Sequence, residues 1–421
     1  MNSSLFHKQG EKFFIENVSV DSIIEQYGSP TYVYSKANLI SAFLDFTTSL
    51  GIIDHLICFA VKANSNIAIL NALAQKGAGF DIVSGGELKR VLLAKGDPQK
   101  IVFSGIGKTN EEIELALNSD ILCFNIESEA ELYRIQAAAK KLEKKAPISI
   151  RVNPNVDAKT HPYISTGLKD NKFGVEEKKA IELYKIAKEL SHILITGIDC
   201  HIGSQITEIS PFIDSLNKLL EIVNFLESID IKIDHLDIGG GIGINYQNET
   251  PPSFKEYSQA IKNTFGKKQM KIIFEPGRSI IGKAGALITK VEFLKEGSIK
   301  NFAIVDAAMN DLMRPALYDA YHEIINLSCN SYGHEKVFDI VGPVCETADF
   351  LGKDRHMLVN PNDYLAILDA GAYGMTMSSN YNSRPRAAEV MIDGSNFFEI
   401  KSRETFEQMV YGEKLPPNSK A

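Results

Sequence analysis

The sequence has little that would tie it to an oxidising compartment, a membrane or a polyanion. Its five cysteines, Cys58, Cys123, Cys200, Cys329 and Cys345, are odd in number and scattered. No Cys-x-x-Cys pair and no Cys/His spacing suited to zinc occurs among them, which argues against a disulfide framework and against a metal site. No purely apolar run approaches the length of a membrane span, and the opening MNSSLFHKQG lacks an apolar core of signal-peptide length. Positive charge is in deficit, with 45 Lys and Arg against 53 Asp and Glu and a net charge of −8. That balance disfavours nucleic acid or an anionic membrane as a partner. Repeats, low-complexity tracts and linkers are also missing. The expectation is a reduced, cytoplasmic protein.

What is present is an ordinary globular composition, 44% hydrophobic and 23% charged, over 421 residues. That length suits two domains, because an α/β barrel takes some 250 residues as one unit. From about residue 55 to 280, short β-branched or apolar runs alternate with helical patterns. The runs are HLICFAVKA (55–63), GFDIVS (79–84), IVFSG (101–105), ILCFNIES (121–128), PISIRVNP (147–154), ITGIDCHIGS (195–204), IDHLDIGGG (233–241) and KIIFEPGRS (271–279). Eight strands with helices between them predict a (β/α)₈ barrel, with an open doubly wound sheet as the alternative. One helical segment opens with Ser128 three residues before Glu131, the signature of a capping box.

After residue 281 the text turns to strand-like runs without long helices, such as ALITKVEFLK, NFAIVDAAM and DYLAILDAGAYG. A C-terminal β-sandwich or barrel domain is expected over 281–421. The barrel is expected over 31–280, and residues 1–30 form an N-terminal segment packing with the β domain. KFFIENVSV and TYVYS precede the first barrel strand and can join the β domain, which makes the barrel an insertion between its parts.

Several strand ends carry reactive groups. Lys62 ends the first run, and a lysine in a desolvated barrel mouth loses its charge readily and can attack an aldehyde such as pyridoxal phosphate. A lone lysine there more often snorkels to solvent. DIGGGIG (237–243) brings four glycines to the end of strand seven, where backbone amides can cradle a phosphate. It fails the dinucleotide fingerprint, because Ile244 and Tyr246 stand where a third glycine is required. EPGR (275–278) supplies a carboxylate that can hydrogen-bond a protonated pyridine nitrogen and a guanidinium that can grip an anion. GRSIIGKA nearly matches a Walker loop, but Ala284 replaces the hydroxyl that magnesium needs. His201 can stack on a planar ring, although a satisfied core histidine is the usual alternative. Cys345 is followed by Glu346, Thr347 and Asp349, unlike an inert buried thiol.

FAVKAN (59–64), HIGSQ (201–205), GGGIG (239–243), EPGR (275–278), GPVCETAD (342–349) and GAYG (371–374) together resemble the ordered motif set of the fold-type III pyridoxal-phosphate decarboxylases. MRPALYDAYH (313–322) and the Cys-Glu pair resemble the branch acting on meso-diaminopimelate. The resemblance implies decarboxylation to L-lysine, with pyridoxal phosphate as cofactor. Lys62 would hold that cofactor, His201 would stack on it and Glu275 would meet its pyridine nitrogen. Ser204, Gly240, Gly241, Pro276, Gly277, Arg278 and Tyr373 would surround the phosphate and substrate, and Arg278, Arg314 and Tyr318 would bind substrate carboxylate. Cys345 would donate the proton and Glu346 would hold the distal ammonium, both reaching across a homodimer into the partner's site. The alternatives are decarboxylation of ornithine, arginine or a carboxynorspermidine-type substrate, racemisation on the same barrel, and a non-catalytic cofactor carrier. Arg314 speaks against ornithine and arginine, Glu275 against a racemase, and the Cys345–Glu346 motif against a carrier.

Overall fold

In the computed structural model, which describes residues 5–157, 171–266 and 268–417, the chain divides into two compact units. One spans residues 38–283, and the other joins the start of the chain, up to Ala37, with everything from Ala284 onward.

The first unit is a closed barrel of eight parallel strands: His55–Ala60, Gly79–Ile82, Ile101–Phe103, Cys123–Ile126, Ala146–Arg151, Ile193–Asp199, His235–Asp237 and Lys271–Phe274. Closure comes from the last strand pairing with the first, Ile272 opposite His55 and Phe274 opposite Ile57, which rules out an open sheet. Each predicted run overlaps one barrel strand, and its last residues form the loop at the carboxyl end. Lys62, for example, sits in a single helical turn, Val61–Ala63, just beyond the first strand.

Side chains alternate along a strand, so inward positions two residues apart form layers. Cys58, Val102, Cys123 and Ile273 make a lower, apolar layer. A Cβ added at Gly197 would fall inside the His235 ring, so the glycine makes room for that imidazole. At the next level toward the carboxyl ends of the strands, Asp81, Ser104, Asn125, Asp199, Asp237 and Glu275 are all buried. The barrel is thus apolar at one level and acidic at the next.

Four of the helices between the strands start where a hydroxyl side chain, that of Ser84, Thr109, Ser128 or Ser253, accepts an N3 amide. Thr109 with Glu112 and Ser253 with Glu256 form full reciprocal capping boxes. The box expected at Ser128 forms only halfway: Ser128 accepts the Glu131 amide, but the Glu131 carboxylate is diverted to Lys108 Nζ at 2.6 Å and to the Glu127 amide at 2.9 Å. A buried lysine needs a counter-charge more than a helix end needs a second acceptor.

The second unit is built on a nine-stranded sheet. Its spine is the eleven-residue strand Gly285–Lys295, which pairs with Thr31–Ser35, Tyr364–Ile367 and Asn301–Val305. Thr31–Ser35 lies antiparallel to that spine and parallel to Ala388–Asp393. Residues 31–37 therefore belong to the β unit, which corrects the barrel start expected at 31. Every residue of TYVYS is buried, which for side chains that alternate between faces means that both faces of the sheet are covered there. The N-terminal residues Leu5, Phe6, Ile15, Val18 and Ile23 pack with Val33, Ile288, Val390 and Ile392 into the core of this unit.

The fit of Gly197 against His235 can be tested. Gly197→Ala should destabilise the barrel by about 1–3 kcal/mol through overpacking, read as a shift in urea midpoint. Adding His235→Ala should recover part of that loss; strictly additive losses would show that the two positions do not touch.

Candidate active site

The barrel's carboxyl end gathers its predicted residues into one connected set. Lys62 Nζ donates to Asp81 Oδ2 at 2.8 Å, and Asp81 is fully buried at the end of strand two. The turn after strand eight packs directly onto the Lys62 turn: the Ala60 amide donates to the Pro276 carbonyl at 3.1 Å, and a Cβ on Gly277 would lie 2.9 Å from Ala63 Cβ. Only glycine allows that approach.

The glycine run is equally confined. A Cβ on Gly240 would overlap the Glu275 carbonyl, and Gly239 (φ 66°) and Gly241 (φ 113°) adopt left-handed backbone that disfavours side chains. The Gly240 amide donates to His201 Nδ1 at 3.2 Å. An amide can only donate, so that nitrogen carries no proton. Burial, with Lys62 and Arg151 nearby, pushes the His201 imidazole well below its usual range, and the ring is neutral. Arg278 is buried; its Nη1 donates to the Tyr246 hydroxyl at 2.8 Å and its Nη2 to Ser204 Oγ at 3.1 Å.

Beneath these groups, Asp199, Asp237 and Glu275 bring their oxygens within 4.8 Å of one another, all buried. Burial comes first, and the neighbouring carboxylates add to it, in raising Glu275 and Asp199 well above the carboxylate range. Asp237 is pushed up to about 7 by burial, despite the bond its Oδ1 accepts from the Gly239 amide at 2.8 Å. Arg151 offsets part of this charge, 3.1 Å from Glu127 and 3.9 Å from Asp199. Asp199 Oδ1 and Asp237 Oδ2 are buried without a hydrogen-bond partner. A set of this kind binds a proton or a cation.

Other predicted residues lie in the β unit. Cys345 and Glu346 are exposed in a turn after strand Lys336–Val341. The Cys345 amide and thiol both face Asn382 Oδ1, at 3.2 and 3.4 Å, while Glu346 accepts the Tyr381 hydroxyl at 2.5 Å. That bond is the main cause that raises Tyr381 above the usual phenol value. Arg314 is buried at the start of the short helix Arg314–Tyr318, with Tyr318 half-buried at its other end. Tyr373 holds a left-handed backbone, φ 57°, which is costly for a bulky residue.

Asp81, Arg151, Asp199, Asp237 and Tyr246 join the barrel set without having been singled out from sequence. A signal existed for Asp81 and Asp199: each is the lone acid in its run, next to a strand's carboxyl end, where barrel sites lie, whereas Asp237 shares its run with Asp234.

Residues 36–282 match the family model described as the pyridoxal binding domain of pyridoxal-dependent decarboxylases. A diaminopimelate decarboxylase of Vibrio cholerae is 52% identical over 412 residues, covering 98% of this chain and 99% of the relative. The crystal structure of diaminopimelate decarboxylase from M. jannaschii in co-complex with L-lysine superposes with a TM-score of 0.93 at 39% identity, covering 99% of each chain. That of the Helicobacter pylori enzyme complexed with L-lysine gives 0.90 at 43% identity, covering 93% of this chain and 98% of that one. The residues present fit pyridoxal phosphate on their own chemistry. The buried acidic cluster of Asp199, Asp237 and Glu275 suits a cationic ring nitrogen at Glu275, and the glycines that leave no room for a Cβ bring backbone close to where a phosphate could lie.

The acidic layer makes the cofactor-free protein sensitive to pH. Folded Asp237 keeps its proton up to about 7, whereas in the unfolded chain a carboxyl releases it near ~4. Within that window the folded state binds more protons, so stability falls as pH rises. Melting curves of cofactor-free protein at pH 5 and pH 8 should show a larger loss for wild type than for Asp237→Asn. Equal losses would mean that Asp237 is already ionised at the lower pH.

Proposed function

The chain belongs to the diaminopimelate decarboxylases, and on that premise we propose that it uses pyridoxal phosphate to remove carbon dioxide from meso-2,6-diaminopimelate, releasing L-lysine in the last step of lysine biosynthesis. The observation that carries this reading is the placement of Lys62 beside a buried acidic layer containing Glu275 at the carboxyl end of a closed barrel. A carbonyl-reactive amine and a proton-holding carboxyl are the two groups that a pyridoxal decarboxylase needs at opposite ends of its cofactor ring.

Lys62 would hold the cofactor through its amine, His201 would lie against the ring face, and Glu275 would keep a proton on the pyridine nitrogen. Ser204, Gly240, Gly241, Pro276, Gly277, Arg278 and Tyr373 would surround its phosphate. When bound, the group supplies an electron sink for the pair left on carbon as carbon dioxide departs. The remaining work belongs to side chains. A neutral His201 adds no second cation beside Lys62, and Asp81 orients the Lys62 amine. Arg278, Arg314 and Tyr318 would take substrate carboxylate, and Glu346 the distal ammonium. Cys345 would then deliver a proton to the carbon that has lost its carboxylate. Ornithine and arginine have no carboxylate at the distal end, and a site built to bind one there rejects them.

Cys345 and Glu346 are exposed on the protomer. Such exposure suits groups that serve the site of a twofold partner, and a cytoplasmic homodimer with composite sites is part of this proposal.

Two measurements test it. Borohydride should fix the cofactor to Lys62, and Lys62→Ala should abolish both the fixed adduct and lysine formation; an adduct on another lysine would sink the assignment. Lys62→Ala and Cys345→Ala homodimers should each be nearly inactive. Random pairing makes half the dimers mixed, each with one intact site of two, so about a quarter of wild-type activity should return on subunit exchange. A mixture that exchanges subunits by mass spectrometry yet stays inactive would place Cys345 in the site of its own chain.

A further inference from the structure

Arg314 is held by a neighbour to which no role has been given. Its Nη1 lies 2.7 Å from Nε2 of His322, and the other ring nitrogen, Nδ1, lies 2.7 Å from the Leu368 carbonyl. A carbonyl oxygen only accepts, so Nδ1 carries the ring proton. A guanidinium only donates, so Nε2 must offer its lone pair. Together the two bonds define His322 as a neutral imidazole in one tautomer. Protonating Nε2 would remove the acceptor and set a second cation against Arg314.

The local chain is shaped to make this contact. Pro315 starts the helix Arg314–Tyr318, and Asp319, in left-handed backbone with φ 52°, ends it, so that the chain turns and residue 322 comes back to Arg314. His322 itself is fully buried. Its carbonyl accepts from Arg355 Nη2 at 2.8 Å, and the Arg355 guanidinium stacks 3.8 Å from the Tyr321 ring. The imidazole is fixed on both sides, and its backbone is fixed as well.

An arginine loses much rotamer freedom when it grips an anion, and a partner that fixes the side chain beforehand removes that cost from the binding step. The bond to His322 holds the guanidinium at Nη1, and a guanidinium of fixed orientation grips a carboxylate through paired N–H groups. We propose that His322 is a positioning residue that aims Arg314 at the substrate carboxylate retained in the product. This inference rests on the reading of Arg314 as a carboxylate ligand.

L-lysine and cadaverine, which is lysine without its carboxylate, serve as probes of the holoenzyme, each measured as a competitive inhibitor. His322→Asn keeps a donor for Leu368 but has no acceptor that reaches Arg314, whereas Gln at 322 places Oε1 near the Nε2 position. His322→Asn should weaken L-lysine by about tenfold while leaving cadaverine unchanged, a loss in the range of one hydrogen bond to a charged group. KM for diaminopimelate should rise by a similar factor, with kcat within about threefold. His322→Gln should restore most of the preference for lysine over cadaverine, which a merely structural defect would not allow. An unchanged preference in His322→Asn, or a Gln variant as poor as the Asn one, overturns the inference provided that Arg314→Ala loses the preference. If Arg314→Ala itself keeps it, the reading of Arg314 is what fails. Nitrogen spectra of histidine-labelled wild-type protein need no variant: a protonated Nε2 at His322 would also overturn it.

Discussion

The constraint on which the site depends is that four carboxyl groups, Asp81, Asp199, Asp237 and Glu275, have been taken out of water inside one barrel. Two unit charges 4 Å apart repel by about 4 kcal/mol even at an effective dielectric constant of about 20. The layer persists because its members are not all charged at once and because cations stand at its rim. Burial and mutual repulsion keep protons on part of the set. Arg151, anchored by Glu127, faces it from strand five, and Lys62 meets it through Asp81. The glycines at the ends of strands seven and eight let backbone crowd in above it. Removing one of these compensations leaves an acid buried without support, so the elements at this end of the barrel are mutually dependent.

Much of this arrangement could be read in the sequence. Apolar runs located all eight barrel strands, and the residues just past them, Lys62, His201, the 239–241 glycines and Glu275, stand at the loop end as that geometry requires. The interior aspartates escaped notice because an acid in an alternating strand reads as an outward-facing residue. Only closure of the sheet, through the pairing of Ile272 with His55, turns that face inward. Strand Phe350–Met357 was missed for the opposite reason. Its FLGKDRHM text carries a glycine and three consecutive charged residues, suited to a sheet edge and too polar for a periodicity argument. His322 was visible only as the last letter of a motif. Its contact with Arg314 depends on the left-handed turn at Asp319, which no periodicity foretells.

The strand Thr31–Ser35 has a consequence for how the protein is made. It leaves the ribosome early, yet one neighbour, Gly285–Lys295, is some 250 residues later and the other, Ala388–Asp393, is later still. The barrel can close by short-range strand–helix–strand contacts as soon as its own residues emerge. Thr31–Ser35, buried along its whole length in the finished protein, must meanwhile wait with both edges open, a state in which strands find wrong partners. Synthesis of the β unit is complete only when the chain is nearly finished. A truncated product that ends after residue 283 would therefore contain a whole barrel and, at its start, a strand with nothing to pair with.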